Sequence, residues 1–231
     1  MTGAHGHDIS SLAKSRSIGR CLSCVHLCTV SRLTRLWLKE PGLPEVLINA
    51  ADRLMDGVAK FRAPVCVGLD PVIEKLPATL RKQAAVDPAA AIAEFSKGVI
   101  EAVAPHVPCI KFQSACYELY GSSGFASLER SMKLARDADL EVILDAKRGD
   151  IGLAAAHYAA AAFDHLNANW MTVSGYLGED SLRAFTQDGR GAFVLVRTSN
   201  PGGDALQEQR LEDGRTIAEA MGDLVAEIGR D

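Results

Sequence analysis

The sequence predicts an α/β fold of the (β/α) barrel kind, an incomplete one with about five βα units. Three observations predict it. From Ala50 onward, short apolar runs alternate with helical stretches, the rhythm of parallel βαβ units. The first run ends in Leu69, Asp70 and Pro71, without the glycine-rich turn that a dinucleotide-binding open sheet carries there. Every predicted strand also ends, on its C-terminal side, in a residue capable of chemistry, and in barrels those ends form the active-site face.

The elements follow in order. An amphipathic helix over about 49–62 leads into the first strand, within Pro64 to Pro71. Asp87 as N-cap and Pro88 at the first helical position start a helix that ends near Pro105. Val107 to Lys111 reads as the second strand, followed by helical periodicity over 122–138. Leu140 to Lys147 is the third strand, and an Ala-rich helix covers about 152–166. Trp170 to Ser174 is the fourth, and a short helix at about 178–187 leads to the fifth, Ala192 to Arg197. The last helix runs from about Gly214 to Gly229, with Asp213 as its cap.

Residues 1–48 have another character. They are rich in Ser, Arg, Lys and Cys, and Asp8 is their only acid before Glu40. Cys21, Cys24, Cys28 and His26 stand at spacings a metal could use, but no second ligand pair follows. The composition also loosely resembles a transit peptide. A weakly ordered N-terminal extension is the preferred reading, which leaves 49–231 as the partial barrel domain. The net charge of -4 gives no reason to expect nucleic acid as a partner. No apolar run approaches the roughly 20 residues of a membrane-spanning helix. Cys66, Cys109 and Cys116 fall in or beside predicted buried strands and read as reduced thiols of a cytoplasmic protein.

The polar strand ends are Asp70, Lys111, the pair Asp145 and Lys147, Ser174, and Arg197 with Thr198. Each alone has a duller reading: an Asp after a strand caps a turn, and a Lys there reaches solvent. Their convergence on one rim favours a site. Asp145 and Lys147 are two apart and therefore share a face of their strand, with Asp150 just beyond.

The stretch Leu144 to Gly152, with Asp145, Lys147 and Asp150 in an Asp-x-Lys-x-x-Asp pattern, resembles the signature of orotidine 5′-monophosphate decarboxylases. Val67 to Pro71, Ile110 to Gln113 and Thr172 to Gly178 resemble that family's first, second and fourth strand motifs. Arg197 to Pro201 is similar to a segment of its longer bacterial-type branch, so the resemblance covers roughly 48–231. Barrel relatives that share the pattern but use Mg²⁺ on sugar phosphates carry an acid at the end of the second strand, where this chain has Lys111.

The resemblance implies a TIM-type barrel that converts orotidine 5′-monophosphate to uridine 5′-monophosphate and CO₂ without a cofactor, in pyrimidine biosynthesis. It implies Lys147 as proton donor to C6, kept cationic by Asp145 and Asp150, with Asp145 beside the departing carboxylate. Lys111 would orient Asp145 and, with Asp70, touch the ribose. Ser174 would read the pyrimidine edge, and Gln113, Ile151 and Thr198 are further substrate-binding positions. Asp150 would reach the neighbouring subunit's site, which implies a homodimer with shared sites.

The chain departs from the family in several places. Three strands expected after Arg197 do not follow, nor do the glycine backbone and arginine that hold the phosphate, so a C-terminally truncated barrel is expected. Gly175 stands where relatives usually have proline, and Ala154 where many have threonine. The competing readings are a non-catalytic barrel fragment and a Mg²⁺-dependent sugar-phosphate decarboxylase or aldolase.

Overall fold

Five parallel strands lie side by side in sequence order: β1 (Cys66–Leu69), β2 (Cys109–Gln113), β3 (Glu141–Arg148), β4 (Trp170–Ser174) and β5 (Gly191–Leu195). The computed structural model describes residues 49–230. The expected N-terminal extension, with Cys21, Cys24, Cys28 and His26, lies outside the described residues. Each strand pairs with its successor, and a helix or a pair of helices fills each connection. The predicted α/β order is therefore the observed one, and it forms part of a barrel wall.

The helices are α1 (Ala50–Phe61), α2 (Ala78–Ala84), α3 (Pro88–Val103), α4 (Ser114–Glu118), α5 (Gly121–Asp137), α6 (Gly152–Ala160), α7 (Glu179–Arg183), α8 (Asp204–Gln207) and α9 (Ile217–Ile228). Their ends follow local chemistry. Asp87 accepts a hydrogen bond from the Ala90 amide at 2.9 Å, and Pro88 fills the first helical position of α3, as expected. α6 continues into a π-helical turn, Ala161–His165, within the predicted helix. Asp213 does not cap α9. Its carboxylate is taken by Arg215, while Thr216 and Glu219 form a reciprocal capping box. The short helices α2, α4 and α8 are additions to the predicted set.

Alternation along the strands sorts their side chains between two faces. On the outer face Ile110, Phe112, Val142, Leu144, Met171 and Val173 are buried in the main core, together with apolar residues of the surrounding helices. On the inner face Cys109, Ile143, Trp170 and Phe193 form a second cluster with Ala50 and Leu54 of α1. Helix α1 thus covers the N-terminal part of the inner face. Arg53 fixes it there through the Glu141 carboxylate at 3.3 Å, and the same carboxylate accepts the Trp170 indole N–H at 3.0 Å.

One expectation of strand burial fails. In β1 only Leu69 is buried, while Cys66 and Gly68 are exposed. Among the described residues β1 is an edge strand bonded to β2 alone, and α1 packs over the strands beside it.

The aromatic layer depends on a glycine. The Trp170 and Phe193 ring centroids are 4.8 Å apart, and a Cβ at Gly191 would lie 2.1 Å from the indole of Trp170. Gly191→Ala is therefore expected to lower stability by about 1–3 kcal/mol through overpacking. Urea denaturation of the two chains checks this, and an unchanged midpoint would contradict the packing described.

Candidate active site

The C-terminal end of the inner face carries the predicted residues, and Asp145 is their centre. It is the one buried charged residue among the described residues, 5% exposed. Such a group survives burial only if its acceptor positions are filled. Here Oδ1 accepts from Lys147 Nζ at 2.5 Å and from the Thr172 hydroxyl at 2.9 Å. Oδ2 accepts from Lys111 Nζ at 2.7 Å and from the Gln113 amide at 3.2 Å. Lys111 Nζ also stands 3.6 Å from an Asp70 carboxylate oxygen. Asp70, Lys111, Asp145 and Lys147 thus form a chain of alternating charge that sums to zero.

Each member owes its place to its strand. Lys111 and Gln113 are two apart on β2 and point to the inner face, where the Gln113 position pairs with Asp145 on β3. Asp70 follows the last residue of β1. Thr172 shares the inner face of β4 with Trp170 below it and Ser174 above.

Lys147 reaches Asp145 by a different route from simple alternation. The β3–β4 register runs from Leu144 opposite Met171 to Arg148 opposite Val173, so β3 carries extra residues there. Lys147 sits in this bulge with φ of +48°, in the left-handed region that non-glycine residues avoid. Its amide donates to the Thr172 hydroxyl at 2.9 Å, which compensates for the broken ladder. Thr172 therefore holds Lys147 by its backbone and Asp145 by its carboxylate. Beyond the bulge Arg148 pairs with Glu118 at the end of α4. Gly149 then passes close over Ser174, where an added Cβ would lie 3.0 Å from the serine Cβ.

The remaining predicted residues do not join this network. Within the described chain Asp150 accepts the Ile151 amide at 2.8 Å and forms no ion pair with Lys147. Ile151 is exposed at the start of α6. Thr198 is held by Gln207, whose side chain accepts its amide and donates to its hydroxyl, both at 2.8 Å. Arg197 turns to Asp204 and Glu208 at 2.8 and 2.6 Å.

The charges shift in consistent directions. Burial opposes ionisation of Asp145, but hydrogen bonds from Lys111 and Lys147, with the Lys111 charge, outweigh it and hold the carboxyl below its usual range. Burial likewise opposes the Lys111 charge, and the Asp145 carboxylate overcomes it, raising the ammonium above its usual value. Among the described residues no group of three or more His, Cys, Asp or Glu side chains is disposed to hold a metal ion.

A model of the orotidine 5′-phosphate decarboxylase / HUMPS family matches residues 63–230. The chain belongs to that family. It is 40% identical over 166 residues to the orotidine 5′-phosphate decarboxylase of Herpetosiphon aurantiacus, covering 71% of this chain and 60% of the relative. It is 40% identical over 199 residues to that of Rhodopirellula baltica, covering 80% of this chain and 66% of the relative. Among solved structures, the Leishmania donovani OMP decarboxylase is 37% identical with a TM-score of 0.64, over 76% of this chain and 64% of that one. The decarboxylase-family chain thus spans less than two thirds of the length of these relatives.

Two predictions follow from the shared Thr172 and Asp145 contacts. Thr172→Val leaves the Lys147 amide and one Asp145 lone pair without a partner, a loss of about 1–3 kcal/mol, while Thr172→Ser retains most of it. Denaturation midpoints, with hydrogen exchange at the Lys147 amide, measure both. For Asp145 the native carboxyl titrates below its unfolded value, so its contribution to stability is present above about pH 4 and lost as pH falls through the native value. Asp145→Asn should flatten that acid limb of a stability–pH curve, and an unaltered limb would contradict the assignment.

Proposed function

We propose that this chain carries the charge network of an enzyme converting orotidine 5′-monophosphate to uridine 5′-monophosphate and CO₂. The observation that carries the proposal is the buried Asp145 carboxylate bonded on opposite sides by Lys111 and Lys147. Family membership and relatives named orotidine 5′-phosphate decarboxylase support it.

Loss of CO₂ breaks the bond from C6 to the carboxyl carbon and leaves the electron pair in an in-plane orbital that the pyrimidine cannot delocalise. Fixed charge must stabilise that carbanion, without solvent rearrangement. Lys147 suits the task, because Asp145 anchors its ammonium while about half its side chain stays accessible to a substrate. Lys147 Nζ gives a proton to C6 as the carbanion forms, and the resulting amine regains one from water. Asp145 lies beside the departing carboxylate. Lys111 holds Asp145 in place and, with Asp70, reaches the ribose hydroxyls. Gln113, Ser174 and Ile151 complete the substrate contacts, while Thr198 is engaged by Gln207.

In this reading residues 49–231 form the catalytic domain, of which the barrel wall described is one part. Asp150 serves the site of a second copy in a cytoplasmic homodimer, a reading supported by its carboxylate accepting the Ile151 amide and not pairing with Lys147 among the described residues. No metal is needed, since Lys111 supplies by an ammonium what a divalent cation would supply in a sugar-phosphate site.

The test is decarboxylation of orotidine 5′-monophosphate by the full chain, followed by the fall in pyrimidine absorbance, with uridine 5′-monophosphate binding in parallel. Lys147→Ala should lower turnover by at least about 100-fold, the lower range for a lost proton donor. A chain that neither turns over nor binds, or a Lys147→Ala chain of equal activity, would overturn the proposal.

A further inference from the structure

Two thiols lie one step below the charge network, and the decarboxylation chemistry uses neither. Cys66 opens β1, Cys109 opens β2, and the two are register partners. Neighbouring strands run about 4.7–4.9 Å apart, inside the roughly 4.4–6.8 Å between Cα atoms that a disulfide spans. Both cysteines share the inner face with Lys111, which is two residues beyond Cys109 on β2. Cys66 is exposed and Cys109 buried, and both are free thiols.

We infer that Cys66 and Cys109 are a reversible disulfide site, oxidised by small disulfides of the glutathione class. Cys66, the exposed partner, attacks first. Its thiolate displaces one thiolate from the small disulfide, breaking that S–S bond and leaving a mixed disulfide on Cys66. Cys109 then gives its proton to solvent and attacks the Cys66 sulfur, expelling the second small thiolate. Two protein thiols are oxidised, and one small disulfide is reduced to two thiols.

The local environment divides these roles. The neighbouring Cys109 thiol lowers the Cys66 thiol from its usual value, against partial desolvation and with help from the Lys111 charge, while Cys109 Sγ itself lies 3.8 Å from the Val65 carbonyl oxygen. The adjacent Cys66 and burial push the Cys109 thiol up, so Cys109 follows Cys66 in the exchange and does not start it. Cys116 is also raised, chiefly by burial, and has no register partner among the thiols.

Geometry makes the bond labile. A disulfide prefers about 3.8 Å between Cβ atoms, less than the spacing of adjacent strands, so closure must draw β1 toward β2. Strained disulfides are the more readily reduced ones. Asp70 follows β1 directly and contacts Lys111 at 3.6 Å, so oxidation alters the outer arm of the charge network.

The full chain is incubated with oxidised glutathione at neutral pH, its remaining thiols are alkylated, and its peptides are weighed. The expected product is a Cys66–Cys109 cross-link that dithiothreitol reverses. Cys109→Ser should instead retain a glutathione adduct on Cys66, and Cys66→Ser should leave Cys109 unmodified. The inference is overturned if the unaltered chain keeps a stable adduct on Cys66, joins Cys66 to another cysteine, or leaves both thiols free. This readout is independent of decarboxylase activity.

Discussion

The structure is organised around the burial of one carboxylate. Asp145 lies at the C-terminal end of the sheet's inner face, and its stability there requires donors from three directions: β2, β4 and its own strand. An unpaired charge in that position would cost several kcal/mol or protonate instead. Each donor must therefore be delivered by a strand held in register. The parallel ladder delivers Lys111 and Gln113, and the bulge in β3 turns Lys147 back onto the residue two before it. Fold and site are one problem at this point, because a slip of one residue in β2 or β4 would replace a donor with an outer-face apolar side chain.

The two ends of the inner face divide the work. At the N-terminal end α1, the Trp170–Phe193 pair and the Arg53–Glu141–Trp170 contacts make a dry, tightly packed layer. At the C-terminal end the same strands present charges, with Lys147 and Asp70 about half-exposed. The aromatic layer gives the strands a fixed floor from which the charged side chains rise, so their positions are set by the fold itself.

Much of this was legible in the sequence, and the parts that were not have physical reasons. The end of β1 could be read because its apolar run stops before the polar Asp70, whereas β2 runs past Lys111 to Gln113, since a charged side chain on the inner face does not end the ladder. Asp87 and Pro88 marked a helix start by local chemistry alone. Helices α2, α4 and α8 span seven, five and four residues, too short for a periodic pattern to declare itself. The β3 bulge was invisible because it arises from pairing with β4, not from a turn residue in β3. Nothing in the sequence marks Thr172 as a site residue, although its alternation with Trp170 and Ser174 places it on the inner face. A threonine between buried apolar neighbours reads as a strand former, and its hydroxyl acquires meaning only when a distant amide lacks a partner. The apolar run predicts β5 through Arg197 with Thr198 at its end, yet β5 stops at Leu195 and the following loop turns both toward α8.

The left-handed backbone at Lys147 bears on how such a sequence changes over time. A lysine held at φ of +48° costs on the order of 1 kcal/mol or more, where glycine or asparagine would sit with little penalty. Selection for folding alone would drift away from lysine at this position. Where a lysine is kept here, its ion pair with Asp145 must outweigh that penalty, whereas glycine or asparagine in a homologous chain would relieve the backbone and give up the pair.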